Sequence, residues 1–449
     1  MVKFTDEGDD SGATDAADLY DLYYSLDRKG SHVDPRPPQT EALNELTKRR
    51  ASRDLVLKMS TGYGKTTVAL VYLWSHMIET GRPVVYLCPT TQLVDQVLRE
   101  AENLGIKATY YRGGQQQPDP ESTNGKAIIV CTYDKLFNAH TTFNRSDVDI
   151  VPYAVVLDDA HSGIQEVRDA FSIHVSLAEH ADLFKSLRDL LRGPCKGHQP
   201  GIWEGIERQD DDAVIEVPFW IWASLLDQLR PLLEQRHQDE DGNRDLDKAV
   251  FFKWPFLRNH LRWCRCIVSG SAIEIIADPP AIQEVRQFYK AERRLFMSAT
   301  LSDDSALVRE LGCDAEASKT PVVPPSDHGV GERMILAPSL IDPKLDRNWV
   351  MQTCAAFSSK YRVVVLTASE KAAKEWSSVG AIVAVGSDVA PAVEKLKAGT
   401  LSCVAFPQRY DGVDLPDESC RILVLDGMPK GQGLVDDYDR KIEGRTGGA

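Results

Sequence analysis

Apolar and polar positions fall into a regular alternation over the first third of the chain, after a strongly polar start. Residues 1–30 read as partly disordered, with one short helix in "DLYDLYYSL". From "RPPQTEAL" onward the runs change character. "DLVLKM", "PVVYLCP", "KAIIVCT" and "YAVVLDDAH" are short, β-prone and mostly apolar, which predicts strands buried on both faces of a parallel sheet. "TTVALVYLWSHMIETG" predicts a helix closed by a C-cap at Gly81, and "TQLVDQVLREAENLG" a second helix. Strands alternating with helices argue for a doubly wound sheet, whose ligands gather at the C-terminal strand ends.

The alternation breaks near residue 168. Residues 169–284 are mostly helical in pattern and hold Trp203, Trp220, Trp222, Trp254 and Trp263; this reads as an insertion in the first domain. "RRLFMSATL" resumes the strand style, so residues 285–320 complete that domain. A second α/β series, residues 321–449, begins near "ERMILAPS" and continues through "RVVVLTAS", "AIVAVG", "LSCVAF" and "RILVLDGMP".

At 449 residues and 43% hydrophobic, the chain is globular and too long for one core. It has no long uncharged apolar run and no signal-peptide character, so a cytoplasmic location is expected. The nine cysteines are scattered, several inside apolar strands, which fits buried thiols in a reducing compartment. Cys264 and Cys266 form a close pair without a second pair at ligand spacing, so they read as structural. Net charge is −15 and the pI about 5.2. That gives no global basic footprint for nucleic acid, although a local basic groove is compatible with it.

Chemistry enters at "MSTGYGKT", residues Met59–Thr66, between the first strand and the first long helix. A strand, a glycine turn and a helix N-terminus form an anion site, with backbone N–H groups and the helix dipole directed at the anion. Lys65 would reach the β- and γ-phosphates, with Thr61, Gly62, Gly64 and Thr67 completing the cradle, and the Thr66 hydroxyl would sit on Mg²⁺. Met59 stands where this pattern has Gly or Ala. The alternative for the stretch alone is a glycine turn that binds nothing. A phosphate loop needs a carboxylate for Mg²⁺ and a group to orient water, and "VVLDDAH" supplies Asp158 for the metal, Asp159 for the water and His161 beside the γ-phosphate.

Together these stretches resemble a superfamily-2 DEAD/DEAH-box helicase of the XPD/DinG-like branch, with motifs in the family order. "RPPQ" resembles the adenine-reading motif through Gln39, "STGYGKT" motif I and "DDAH" the DEAH box. "CPTTQLVDQ" and "CTYDKLF" resemble motifs Ia and Ib, which imply strand contacts at Thr90, Thr91 and Thr132. "MSATL" resembles motif III, which implies coupling through Ser298 and Thr300. "VVVLTASEKAAKEW" resembles motif IV. "RYDGVDLP" resembles motif V, which places Gly412 and Asp414 at the nucleotide.

The resemblance implies two RecA-like P-loop domains with a mostly helical insertion in the first, ATP and Mg²⁺ as cofactors, and movement along nucleic acid, DNA ahead of RNA. It also implies a partner protein of a defence locus. A duplex translocase subunit of a restriction complex and a nucleotide-binding switch with little turnover are the alternatives. Three departures bear on this. Asp159 stands where the family has Glu. Only Cys88 and Cys131 lie between motifs I and II, so no iron–sulfur cluster is expected. Motif VI, Gln-x-x-Gly-Arg-x-x-Arg, has no full match. "KIEGRTGG" matches through Gly444 and Arg445 but has Lys441 and Gly448 at the flanks. A chain ending before motif VI is the expectation, with weak turnover as its consequence. The insertion's tryptophans stack bases in one reading and fill that domain's core in the other, with core expected.

Overall fold

The computed structural model describes residues 17–29, 34–112, 118–145, 148–210, 212–238, 248–299, 304–329, 334–408, 415, 417–427 and 433–446. The chain divides into two compact units, Met1–Val330 and Gly331–Ala449.

The first unit is built on six parallel strands: β1 (Asp54–Lys58), β2 (Val84–Cys88), β3 (Ala108–Tyr110), β4 (Ile128–Thr132), β5 (Ala154–Leu157) and β10 (Arg293–Ser298), in the order β1–β10–β5–β2–β4–β3. All five residues of β2 are buried, as expected of a central parallel strand covered on both faces. Successive side chains alternate between two cores. Leu55, Leu57, Tyr86, Val156 and Met297 pack with helix Lys65–Thr80, whereas Val56, Leu87, Val155, Leu157 and Phe296 pack on the opposite face.

The insertion covers that opposite face. It is mostly helical and also contains a sheet that the sequence reading did not include. Strands β6 (Ser172–Ser176), β7 (Val214–Glu216), β8 (Cys264–Ser269) and β9 (Ala272–Ala277) form an antiparallel sheet in the order β6–β9–β8–β7. Trp203, Trp222 and Trp254 are buried in a core continuous with Val155 and Phe296, so the insertion and the parallel sheet share one hydrophobic interior. Cys264 and Cys266 are buried on β8 with free thiols that burial pushes up, as structural cysteines.

The second unit has a parallel sheet of β11 (Val363–Thr367), β12 (Ile382–Val383), β13 (Cys403–Pro407) and β14 (Ile422–Asp426), ordered β12–β13–β11–β14. The strand expected near "ERMILAPS" is not among the described elements. Residues 334–337 have no regular structure and lead into the short helix Pro338–Ile341, with Met334, Ile335 and Leu336 exposed. Lys441, Gly444 and Arg445 lie on helix Leu434–Thr446; Gly448 lies outside the described residues.

Candidate functional site

The C-terminal ends of β1, β5 and β10 bring the expected chemistry together. Helix Lys65–Thr80 starts at Gly64, which is left-handed at φ 84°, and Gly62 is also left-handed at φ 86°. Both positions need glycine because a Cβ is disfavoured there. A Cβ on Gly64 would also lie 2.2 Å from Gln39 Nε2. The loop therefore closes against Gln39, which is nearly buried. Its Nε2 donates to the Gly64 carbonyl at 3.3 Å, and its Oε1 accepts from the Arg36 N–H at 2.8 Å. Gln39, expected to read adenine, here braces the phosphate loop. The Arg36 guanidinium donates to the Gly62 carbonyl.

Lys65 Nζ donates to the Met59 carbonyl at 2.8 Å. The Met59 side chain points away into the core at 1% exposure, which explains how a large residue is accommodated at the loop's first position. Burial lowers the Lys65 ammonium, and the charges of Asp158, Asp159 and Asp327 oppose that shift. Thr61 and Gly62 are exposed and Thr66 half-buried. The Thr67 hydroxyl donates to Glu100 at 2.5 Å, so it serves helix packing and leaves only the Thr67 N–H for an anion.

Asp158 follows β5 and is held from two sides. The Tyr86 hydroxyl donates to its Oδ2 at 2.9 Å, and the Tyr133 hydroxyl donates to its carbonyl at 2.8 Å. Tyr86 also lies in hydrogen-bond reach of the Thr66 hydroxyl. One buried phenol thus touches the Asp158 oxygen expected to hold Mg²⁺, close to the Thr66 hydroxyl expected to join it. This hard-oxygen set fits a small divalent cation. Burial raises the Asp158 carboxyl, while the Tyr86 hydrogen bond and the Lys65 charge pull it back down. Asp159 caps helix Ala160–Ala170 from a left-handed backbone, φ 44° and ψ 63°, and accepts from the Ser162 hydroxyl at 2.9 Å. Strain of this kind is concentrated at functional sites. His161 is exposed on the first turn of that helix.

Ser298 is buried at the end of β10, and its carbonyl accepts from the Met59 N–H at 3.2 Å. The "MSATL" strand end and the glycine loop are therefore joined through the backbone; Thr300 lies outside the described residues. Next to this link, Lys58 pairs with Asp304 at 2.6 Å. Of the expected strand contacts, Thr90 caps helix Thr91–Asn103 by accepting from the Leu93 N–H at 3.3 Å, which is a sufficient structural use. Thr91 is exposed and Thr132 half-buried at the end of β4. Gly412 and Asp414 lie outside the described residues. Cys88 and Cys131 are buried strand residues.

The sequence reading missed the residues that brace this site from afar. Tyr86 is the only side-chain oxygen in the strand "VVYLC", a signal in retrospect. Asp327 has no local signal at all. Its Oδ2 accepts from the Ser60 N–H at 2.5 Å. It is delivered by residues 320–329, which pair with β1 through Val322 and dock on helix Pro37–Arg49 through Ser326 and Glu41.

Residues 36–183 match the family model for the DEAD/DEAH box helicase. ATP-dependent RNA helicase RhlB of Aliivibrio fischeri is 27% identical over 140 residues. That match covers 28% of this chain and 31% of RhlB, so the chain spans about a third of this relative. The solved structure of S. tokodaii Xpd4 is similar over 90% of this chain and 85% of its own, at 17% identity and a TM-score of 0.50. An XPD helicase structure is similar over 92% and 88%, at 13% identity and a TM-score of 0.52. The segment that holds the glycine loop and the paired aspartates thus falls within the stretch similar to the DEAD/DEAH box helicase family, and the fold is similar to that of the XPD helicase structures.

Proposed function

We propose that the protein is an ATP-dependent nucleic-acid helicase or translocase, with DNA as the favoured strand. The single observation that carries this is that Lys65, at the start of the helix after the glycine turn, faces the Asp158 carboxylate held by the buried Tyr86 phenol. In this reading Lys65 neutralises the β- and γ-phosphates, and the loop amides and the helix N-terminus bind their oxygens. Thr66 and Asp158 would hold Mg²⁺, which supplies charge neutralisation at the transferring phosphoryl group. Asp159 accepts the proton of the attacking water, oriented by its bond to Ser162. The Ser298–Met59 backbone link carries the state of the loop into the coupling motif.

The preference for DNA rests on the motif-V spelling "RYDGVDLP"; the RhlB match covers only 28% of this chain. Steady-state ATP hydrolysis, titrated with single-stranded DNA and then RNA, tests the reading. Stimulated turnover with either strand supports it, and the stronger stimulator names the substrate. Strand-separation and triplex-displacement assays then divide unwinding from translocation on duplex. Nucleotide binding without hydrolysis under any condition would leave the switch-module alternative.

A further inference from the structure

Three aromatic rings of the insertion are exposed where its core has no use for them. Trp203, Trp222 and Trp254 are buried to 1% or less, whereas Phe219, Trp220 and Trp263 are 51%, 64% and 67% exposed. Two of these rings pair, and the third follows next in sequence. Phe219 and Trp263 lie nearly parallel, at an interplanar angle of 19° with centroids 6.2 Å apart. Trp220 follows Phe219 at the start of helix Phe219–Ser224 and meets His198 edge-on at 5.6 Å. The Arg262 guanidinium sits 5.7 Å from the Trp263 ring centroid.

Several carboxylates of the insertion are already paired with cations. Arg265 is engaged by Glu216 and Asp278, Arg192 and Lys196 by Glu207, and His260 by Glu284. Those carboxylates are occupied by their own cations. Arg258 and Arg262, on the loop leading to Trp263, are exposed and make no ion pair among the described residues. The Phe219–Trp263 pair therefore presents apolar ring faces with the Arg262 guanidinium, which makes no ion pair among the described residues, beside Trp263, on a chain whose net charge is −15. Scattered exposed apolar residues need no explanation, but two exposed rings stacked on each other beside a cation point to an interaction site.

We propose that Phe219, Trp220 and Trp263, flanked by Arg258 and Arg262, form a contact surface for single-stranded nucleic acid on the insertion. Bases stack on the rings and the two arginines meet phosphates, a combination that suits any base sequence. The inference rests on the helicase reading above and adds to it a strand path outside the parallel sheet. A protein partner would also use the rings, but it gives no role to two unpaired arginines unless it is itself acidic.

The test uses the full chain and fluorescein-labelled (dT)20 and (rU)20, read by anisotropy over a salt series. The triple variant Phe219→Ala/Trp220→Ala/Trp263→Ala is expected to lose about tenfold or more in strand affinity. Arg258→Gln/Arg262→Gln is expected to flatten the dependence of log affinity on log salt by about 1.4, the value for two single-strand phosphate contacts. Both should bind a fluorescent ATP analogue as the parent does, which shows an intact first unit. If the parent binds strand and both variants bind it equally well, the assignment is overturned and the helicase reading stands, leaving the rings to a protein. If the parent binds neither oligonucleotide, with or without nucleotide, the helicase reading and the ring assignment both fall.

Discussion

The Asp327 carboxylate accepts the backbone N–H of Ser60 at 2.5 Å, from 267 positions further along the chain. A negative side chain thereby lies on the phosphate loop, near enough to Lys65 for each charge to shift the other. The hydrogen bonds from Ser60 and Gly329 hold the Asp327 carboxyl below its ordinary range against the effect of burial, so it is ionised at neutral pH. A carboxylate there opposes the arrival of a triphosphate. Asp327→Asn keeps the shape and removes the charge. It is expected to tighten ATP binding several-fold, measured by calorimetry with the nucleotide alone. Weaker binding in that variant would make Asp327 a support of the loop and not a competitor.

In the proposed reading, Lys65 supplies the ground-state contact to the same phosphates. Its removal in Lys65→Ala costs about 1.5–3 kcal/mol of charge-assisted hydrogen bonding, or a roughly 10- to 150-fold loss of ATP affinity. Equal affinity in variant and parent would refute the phosphate assignment.

Arg294 and Asp54 join β10 to β1 through a fully buried, two-pronged ion pair, at 2.7 and 2.5 Å. Arg294 also donates to the Gly312 carbonyl at 2.7 Å, and Asp54 accepts from the Asp314 N–H at 2.7 Å. Breaking one side strands a buried charge. Arg294→Met alone should therefore destabilise the protein by about 3–5 kcal/mol, while Arg294→Met/Asp54→Leu should recover much of that loss. Denaturant unfolding midpoints decide; a double variant no better than the single one would mean that the backbone contacts, not the charges, dominate.

The strand–loop–helix around Lys65 and the strand end at Asp158 were legible because each is local. Their signals are an apolar run, a glycine turn and a carboxylate within a few positions. Helix Lys65–Thr80 ends at Gly81 as its pattern predicts, with Gly81 left-handed. The insertion's antiparallel sheet was not legible. Its strands are short, as in "VIE", or apolar throughout, as in "CRCIVS", and so give no period to read. "MILAPS" has the composition of a strand, yet composition does not supply a neighbour to pair with. Three of the five tryptophans proved to be core and two did not. No local pattern separates Trp222, whose Nε1 donates to the Leu261 carbonyl, from Trp220 two residues earlier.

His76 gives the fold a dependence on acid. It is buried between Tyr72 and Tyr153, with the Arg50 guanidinium 3.5 Å from its Nδ1. Burial, with the charges of Arg50 and Arg293, lowers its pKa from 6.5 to about 3. Below pH 6.5 the unfolded chain takes up a proton that the native state refuses, so this contribution to stability is lost as pH falls from 6.5 toward 3. The slope is about 1.4 kcal/mol per pH unit. Unfolding free energies between pH 7 and 4.5 should therefore fall more gently in His76→Gln than in the parent, whatever their absolute values. Parallel slopes would show that His76 protonates freely in the folded protein.

Asp159 is where the backbone and the chemistry meet. Its left-handed φ of 44° is tolerated by Asp and Asn better than by longer side chains, because a short polar group bonds locally in that conformation. The bond from Ser162 is of this kind. Asp159→Asn is thus a conservative probe: it keeps the conformation and removes the proposed base. It should bind ATP with parental affinity and hydrolyse it at least about 100-fold more slowly, the lower range for general-base catalysis. Asp159→Glu restores the family's residue and its longer reach, so turnover should be retained or raised, at a cost of about 1 kcal/mol in stability from the strained backbone. Single-turnover hydrolysis and thermal unfolding on the same samples separate the two effects. Parental hydrolysis by Asp159→Asn would remove Asp159 from the reaction and return the water-orienting role to another group at the β5 strand end.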